Sequence, residues 1–241
     1  LRGYRADLHI HSCLSPCAEL DMTPRGIIKT SIEKGLDIIA LTDHNSMENV
    51  EVARRLGGDN LYVLAGIEVT SSEEIHILAI FDEIEDARRL QRLVYENLPS
   101  GENDERLYGH QVVVNEMDEV LSLNKRLLIG ATRIGVEEIV DTVRSLGGIA
   151  IASHVDKASF SIISQLGFIP DDLSFDALEF SYHIKRDEAK RVFHELDRFP
   201  WVSFSDAHYI EDIGRRITIF EMEDISLEEI KKALRDGKIY W

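Results

Sequence analysis

Residues 6–46 read "ADLHIHSCLSPCAELDMTPRGIIKTSIEKGLDIIALTDHNS". Two apolar runs, Ala6–Ile10 and Ile38–Thr42, flank a segment with the marks of a helix: Thr23 as N-cap, Pro24 at the first helical position and Gly35 as the stop. Strand, helix and strand in this order predict a parallel pair joined by a crossover. Further strands are expected at Tyr62–Ile67, Ile75–Phe81, Ile149–Ser153, Ala177–Phe180, Val202–Ser205 and Ile217–Phe220. Helical patterns lie between them. "DEIEDARRLQRLVYENL" opens with Asp82 and Glu85 in capping-box spacing, and "SLEEIKKALRDG" repeats the device with Ser226 and Glu229 before Gly237. The alternation predicts an α/β fold on a mostly parallel sheet, open or closed into a barrel. Residues 98–134 break the rhythm. They hold a polar loop and then "HQVVVNEMDEVLSL", which reads as two strands about a turn near Asn115–Asp118. An inserted hairpin of this size has no core of its own, so residues 1–241 read as a single domain.

The 241 residues suit one α/β barrel, and 44% apolar content supplies a large core. The formal charge is −17, from 27 basic and 44 acidic residues, which argues against a basic groove for long nucleic acid. A phosphorylated substrate is still compatible, because divalent metals bound inside reverse the local sign. No apolar run approaches a membrane span, and no signal-peptide pattern is present. The chain begins at Leu1, not Met, which suits the trimming of a short leader. Two cysteines are too few for a disulfide framework, although a Cys13–Cys17 bridge is geometrically open; a reducing cytoplasm is the expected location.

Residues two apart on a strand share a face, with Cα atoms about 6.5 Å from each other. His9 and His11 therefore point together, with Leu8 and Ile10 on the other face, and they suit either a metal or a polar strand surface. Asp7 either orients one of them or merely opens the strand. "IIALTDHNS" runs a buried strand into Asp43 and His44, where Asn45 or Ser46 also suits a helix cap. Glu68 lies at the end of another apolar strand, where an isolated carboxylate is costly to desolvate. His76 stands within the next strand, His154 just after "GGIAIAS", and Asp206 and His208 two apart after "WVSF". Six of the nine histidines and three carboxylates thus fall in or just beyond buried strands across the chain. Independent core or capping roles do not account for that pattern jointly. Imidazole and carboxylate with little thiolate suit Zn, Mn or Fe at a site holding more than one ion.

These residues resemble the PHP (polymerase and histidinol phosphatase) superfamily. Its four motifs are matched in order by "HIH" at 9–11, "TDH" at 42–44, "SH" at 153–154 and "SDAH" at 205–208, with Glu68 and His76 as further ligands. The resemblance implies a distorted (β/α)7 barrel, here with the small inserted hairpin, and two or three divalent ions at the C-terminal rim. It implies that His9, His11, Glu68 and Asp206 hold one ion, that Glu68 bridges to a second held by His76 and His154, and that His44 and His208 hold a third. Asp43 then orients a ligand. Many relatives supply another ligand to the third ion seven or eight residues after the first histidine. Pro16 and Cys17 stand there in this chain, which makes the Cys17 thiol a candidate ligand beside the plainer reading of a small turn residue. Asp21 is a further candidate.

The resemblance implies hydrolysis of a phosphate ester by a hydroxide shared between ions. Lys157, Lys185, Arg186 and Arg215 follow motif-bearing strands and are candidates to meet the phosphate, Lys157 and Arg215 foremost; each also suits a solvated surface. His183 suits either assistance to a leaving group or a plain exposed loop, His110 in the insert either lines a substrate cleft or has no chemical role, and His194 falls in the helical pattern "RDEAKRVFHELDRF". A small phosphorylated substrate is the expected partner, ahead of long nucleic acid, and no membrane is implied. Two rivals are a metal-dependent amidohydrolase and a non-catalytic metal-binding scaffold. No Gly-x-Ser-x-Gly elbow, Walker loop or dinucleotide fingerprint is present.

Overall fold

The computed structural model describes all residues, Leu1–Trp241. The strands β1 (Arg2–Ile10), β2 (Ile38–Leu41), β3 (Tyr62–Thr70) and β4 (His76–Phe81) are followed by a hairpin of β5 (Val112–Val114) and β6 (Val120–Leu123). Then come β7 (Ile149–Ala152), β8 (Ala177–Phe180), β9 (Trp201–Ser203), β10 (Thr218–Met222) and β11 (Ile239–Tyr240). All but the hairpin join one sheet in the order β11-β10-β1-β2-β3-β4-β7-β8-β9.

Seven of these strands, β1 to β4 and β7 to β9, ring a distorted barrel. Beyond β9 the chain returns to β1, where the His11 amide donates to Ala207 O at 3.0 Å and the Ala207 amide to His9 O at 3.2 Å. At the other end the Ser203 amide donates to the Thr218 hydroxyl, and that hydroxyl donates to Ser203 O, both at 3.0 Å.

The ring strands run parallel apart from β4, whereas β10 and β11 add antiparallel beside β1, so the sheet is more mixed than the expected mostly parallel one. Only residues 71–75 separate β3 from β4, far fewer than a crossover needs, so β4 runs antiparallel to both β3 and β7. Its first residue, His76, therefore lies at the rim where its parallel neighbours end. Pairing of Thr70 with His76 puts that histidine on the same face as Glu68, two residues before Thr70.

A second departure from simple alternation sits in β1. Its register against β2 shifts between Asp7 and Ile10. Leu8 consequently packs in the barrel lumen with Tyr4, Ala6, Ile38 and Leu64, whereas Ile10 packs in the outer layer beneath the helices. The expectation that Leu8 and Ile10 share a face is thus corrected: the bulge inserts a residue and re-aims the strand end that carries the two histidines.

The helices α1 (Pro24–Glu33), α2 (Val50–Gly57), α3 (Ile84–Asn97), α4 (Glu105–Tyr108), α5 (Val136–Ser145), α6 (Ile162–Leu166), α7 (Arg186–Val192) and α8 (Leu227–Arg235) complete the fold. The lumen is closed below by Leu227, Ile230 and Leu234 of α8. Thr23 caps α1 by accepting from the Gly26 amide at 3.1 Å, and Gly35 and Gly237 end their helices at positive φ.

Two capping readings are corrected. Glu83, not Asp82, precedes α3 and makes no side-chain cap, because the Asp82 carboxylate accepts from the Tyr62 hydroxyl at 2.5 Å. Ser226 caps Glu229, but the Glu229 carboxylate accepts from the Glu223 amide and leaves the reciprocal bond unmade. The pattern around His194 also divides, into α7 and a 3₁₀ turn at His194–Leu196 whose Leu196 carbonyl accepts from the Trp201 indole.

The hairpin is stitched to the barrel through β5: the Val112 amide donates to Cys13 O at 2.8 Å and the Asn49 side chain to Val112 O at 3.0 Å. The chain then passes the site, where the Asn45 amide group donates to the Leu128 and Gly130 carbonyls.

Gly66 leaves no room for a side chain between β3 and the end of β2. A Cβ there would stand 2.5 Å from Thr42 Cγ2 and 2.6 Å from Leu41 O. Gly66→Ala is expected to lower stability by about 1–3 kcal/mol, read as a fall in the midpoint of thermal unfolding.

Candidate metal centre

Each strand that opens on the rim delivers a polar side chain to one place. His9 and His11 come from the end of β1, His44 from just beyond β2, Glu68 from β3, His76 from β4, His154 from beyond β7, Glu179 from β8, and Asp206 and His208 from beyond β9. The lumen below is apolar, so these groups form the top layer of the core, and His9, His11 and Glu68 are all but fully buried.

Glu68 stands at the middle. Its Oε1 lies 3.1 Å from His76 Nδ1, 3.3 Å from His9 Nε2 and 3.4 Å from His154 Nε2. Its Oε2 lies 3.2 Å from His44 Nδ1 and 3.4 Å from His11 Nε2. Asp206 Oδ1 closes the group at 3.4 Å from His9 Nε2 and 3.5 Å from His11 Nε2.

Surrounding hydrogen bonds fix which nitrogens carry lone pairs inward. His9 Nδ1–H donates to both Glu179 oxygens at 3.0 Å, so its Nε2 is bare in the neutral ring. Ser15 Oγ donates to Asp43 at 2.7 Å and hence accepts from His11 Nδ1–H at 2.9 Å, leaving His11 Nε2 bare as well. These two bare nitrogens face each other at 3.1 Å. Lone pairs so placed, beside carboxylate oxygens, repel unless a cation lies among them.

The electrostatics agree. Burial, with His208 nearby, pushes His11 down to about 3, and burial likewise holds His44 well below its ordinary value, so neither protonates to balance the carboxylates. Burial also disfavours charge on His9, but Glu179, Glu68 and Asp206 outweigh it and raise that ring, so the carboxylates draw positive charge to His9 Nε2: a proton when no ion is bound, which a metal ion would displace. His44 Nδ1, Glu68 Oε1, His76 Nδ1 and His154 Nδ1 are buried without a hydrogen-bond partner. Orphaned donors and acceptors of this kind are rare in a native core. The donor set fits divalent metal ions.

Three sets of ligand atoms converge closely: His9, His11 and Asp206; His44, Glu68 and His76; and His11, His44, His208 and Cys17. His208 donates from Nδ1 to Asp206 O at 2.9 Å and turns Nε2 to Cys17 Sγ at 3.1 Å. His11 and His44 each belong to two of the sets. Cys13 is buried under the hairpin, away from the ligands, and the two thiols are free.

Asp43 accepts from the Ser12 amide and both serine hydroxyls, and touches His11 only through Ser15. Asp7 accepts from the Ser205 and Gly214 amides and so braces the turn that carries Asp206. Glu179 is the group that the sequence reading missed. It holds His9 and also accepts from the His154 amide at 3.0 Å, where that residue adopts φ +30°. Its signal was present in "DALEF", a carboxylate inside an apolar strand, by the argument applied to Glu68.

Lys157 reaches the site, with Nζ 2.5 Å from Asp206 Oδ2. Arg215 does not line the cavity: its guanidinium bonds Ser205 O at 2.9 Å, pairs with Asp212 at 2.8 Å and covers the Tyr182 ring. Lys185 precedes α7 and Arg186 covers Trp241. His110 pairs with Glu105, His194 with Glu195, and His183 lies against Tyr182. Asp21 is exposed and belongs to none of the ligand sets.

The family model of the PHP domain matches residues 7–162, and that of the PHP-associated region matches residues 183–239. The chain belongs to the PHP domain family. Membership places it among metal-dependent hydrolases that act on ester bonds. Both matched regions contribute to the rim cluster: the first contains His9 to His154, the second Asp206 and His208.

Among known proteins, an uncharacterized protein of Methanocaldococcus jannaschii is 24% identical over 190 residues, covering 74% of this chain and 83% of its own. Endonuclease Q of Pyrococcus furiosus shares the fold at TM-score 0.73 and 20% identity over 98% of this chain, which spans only 56% of that one. An endonuclease Q complexed with a 27-mer duplex bearing an abasic lesion is equally similar in fold, at 21% identity, and this chain covers 57% of it. A Bifidobacterium adolescentis protein assigned as a metal-dependent phosphoesterase follows at TM-score 0.57 and 17% identity, with 84% of this PHP chain and 87% of that one covered.

Glu179→Gln leaves one acceptor for two donors. It is expected to weaken metal binding by roughly 10- to 100-fold, measured by competition with a chelating dye. Stripping metal with a chelator is expected to lower the unfolding midpoint by several degrees, and restoring metal to recover it, because ions that bind only the folded chain stabilise it.

Proposed function

We propose that this PHP domain hydrolyses phosphate esters with two or three divalent ions held at the rim. The observation that carries the reading is the ring of five imidazoles about the buried Glu68 carboxylate, with bare nitrogens turned inward. His9, His11 and Asp206 would hold one ion. Glu68, His76 and His154, with His44 at their edge, would hold a second. Cys17 and His208, with His11 and His44, would hold a third, and a thiolate there favours Zn or Fe over Mn. Ions bound there neutralise the phosphate and activate water for attack.

The remaining work falls to residues of the chain. Glu179 and the Asp43–Ser15 pair keep the His9 and His11 rings oriented and their inner nitrogens bare. Asp7 and Arg215 hold the turn that presents Asp206. Lys157 stands at the cavity wall with its ammonium beside Asp206; burial disfavours that charge, but Asp206 restores it and raises the group above its ordinary value. It is placed to meet a phosphate oxygen and offset charge as the ester bond breaks.

The cavity measures about 240 Å³, enough for a phosphoryl group with the rest of the substrate at the mouth. That suits a small phosphomonoester or the end of a nucleic-acid chain. The charge of −17 disfavours a long polyanion, while the fold shared with endonuclease Q supports nucleic acid as a substrate class.

Metal-reconstituted protein should hydrolyse phosphomonoesters or oligonucleotide ends in a panel that also contains amides, and His9→Ala and Asp206→Asn should each lower turnover by at least about 100-fold. Turnover of amides alone would replace this reading with an amidohydrolase. Less than one tightly bound ion per chain, with no turnover, would leave a scaffold.

A further inference from the structure

One loop, residues 156–160 between β7 and α6, brings two unlike side chains to the cavity: Lys157 and Phe160. The loop is held at both ends. The Lys157 amide donates to His154 O at 2.9 Å, and the Ser161 hydroxyl, which also caps α6, donates to Lys157 O at 2.8 Å.

Phe160 is unusual in three ways. It adopts φ +57°, a left-handed conformation that glycine takes freely and a bulky residue avoids. It is 41% exposed, and among the exposed large apolar side chains it alone lines the cavity. Its ring lies on the His76 ring, with centroids 4.7 Å apart and planes 17° from parallel, while its carbonyl accepts from the His76 amide at 2.9 Å. One face of the ring is therefore covered by a residue of the ligand cluster, and the exposure belongs to the remainder at the mouth. Ile129, from the end of the insert, adds a second apolar wall.

We infer that Phe160 is a stacking platform that selects phosphate esters bearing a nucleobase one sugar away from the phosphate. The inference rests on the phosphoester reading above and names its substrate class. A phosphoryl group beside His76 and Lys157 sets the attached sugar at the mouth, and a planar base beyond it reaches the open face of the ring. Aromatic rings accept any base in this way without reading its edge. A simple sugar phosphate has nothing to place there.

The test uses non-hydrolysable phosphonate analogues of adenosine 5′-monophosphate and of ribose 5-phosphate, titrated calorimetrically into the metal-loaded protein. The adenosine analogue is expected to bind roughly tenfold more tightly. Phe160→Gly, which relieves the backbone and removes only the ring, should bring that ratio close to one, and Phe160→Trp should keep or raise it. Thermal melts and metal analysis of each variant confirm a folded, loaded protein. If Phe160 only props His76, Phe160→Gly will weaken both analogues in proportion and preserve the ratio, which overturns the inference. Equal binding of the two analogues to the unmodified protein overturns it too, while leaving phosphoester hydrolysis standing. If neither analogue binds, both readings fall together.

Discussion

A carboxylate buried among five imidazoles, all within 3.4 Å, is the constraint around which this protein is built. Glu68 cannot keep its charge in that place on hydrogen bonds alone, since one of its oxygens has none. Two of the surrounding rings are held neutral by burial, while the carboxylates draw positive charge to His9, whose Nε2 faces that of His11. Desolvated charges require compensation at close range, and for this donor set divalent cations provide it. The barrel rim, the outer hydrogen bonds and the strained turns all serve to hold that arrangement in the absence of bulk water.

The backbone shows where the holding is done. Asn45, His154 and Asp206 have positive φ, and all three lie in the segments that leave strands and enter the site. Each is tied down. Asn45 bonds the returning insert, the His154 amide donates to Glu179, and the turn at Asp206 is braced by Asp7 and Arg215. Non-glycine residues keep such conformations only where their surroundings over-determine them. The bonds that hold these strained turns are thus the same bonds that place the side chains of the site.

The loop after β7 joins the metal layer to the outside. Its histidine enters the ligand cluster, its lysine pairs with Asp206, and its phenylalanine covers His76 at the mouth. On the proposed reading, the group that meets the phosphate and the surface that accepts what the phosphate carries are therefore mechanically one segment. The insert contributes from the opposite side through Ile129, anchored by Asn45.

Most of the residues that the structure gathers at the rim were legible in the chain, because a histidine or carboxylate at the end of an apolar strand has few other uses. Strand–helix alternation and the turn residues Thr23, Gly35 and Gly237 likewise determined the α/β class and the approximate elements. What the sequence could not decide was direction and pairing. The reversal of β4, which brings His76 to the rim beside Glu68, follows from a connection too short for a crossover. The bulge in β1 overturns strict alternation at Leu8 and Ile10 because register is settled between strands, not along one. Glu179 gained its role only when β8 was laid beside β7 and across the barrel from β1, and Phe160 only when its loop folded over His76. Local chemistry is written residue by residue, whereas the sharing of ligands among sites and the face a ring presents depend on which distant strands close the barrel together.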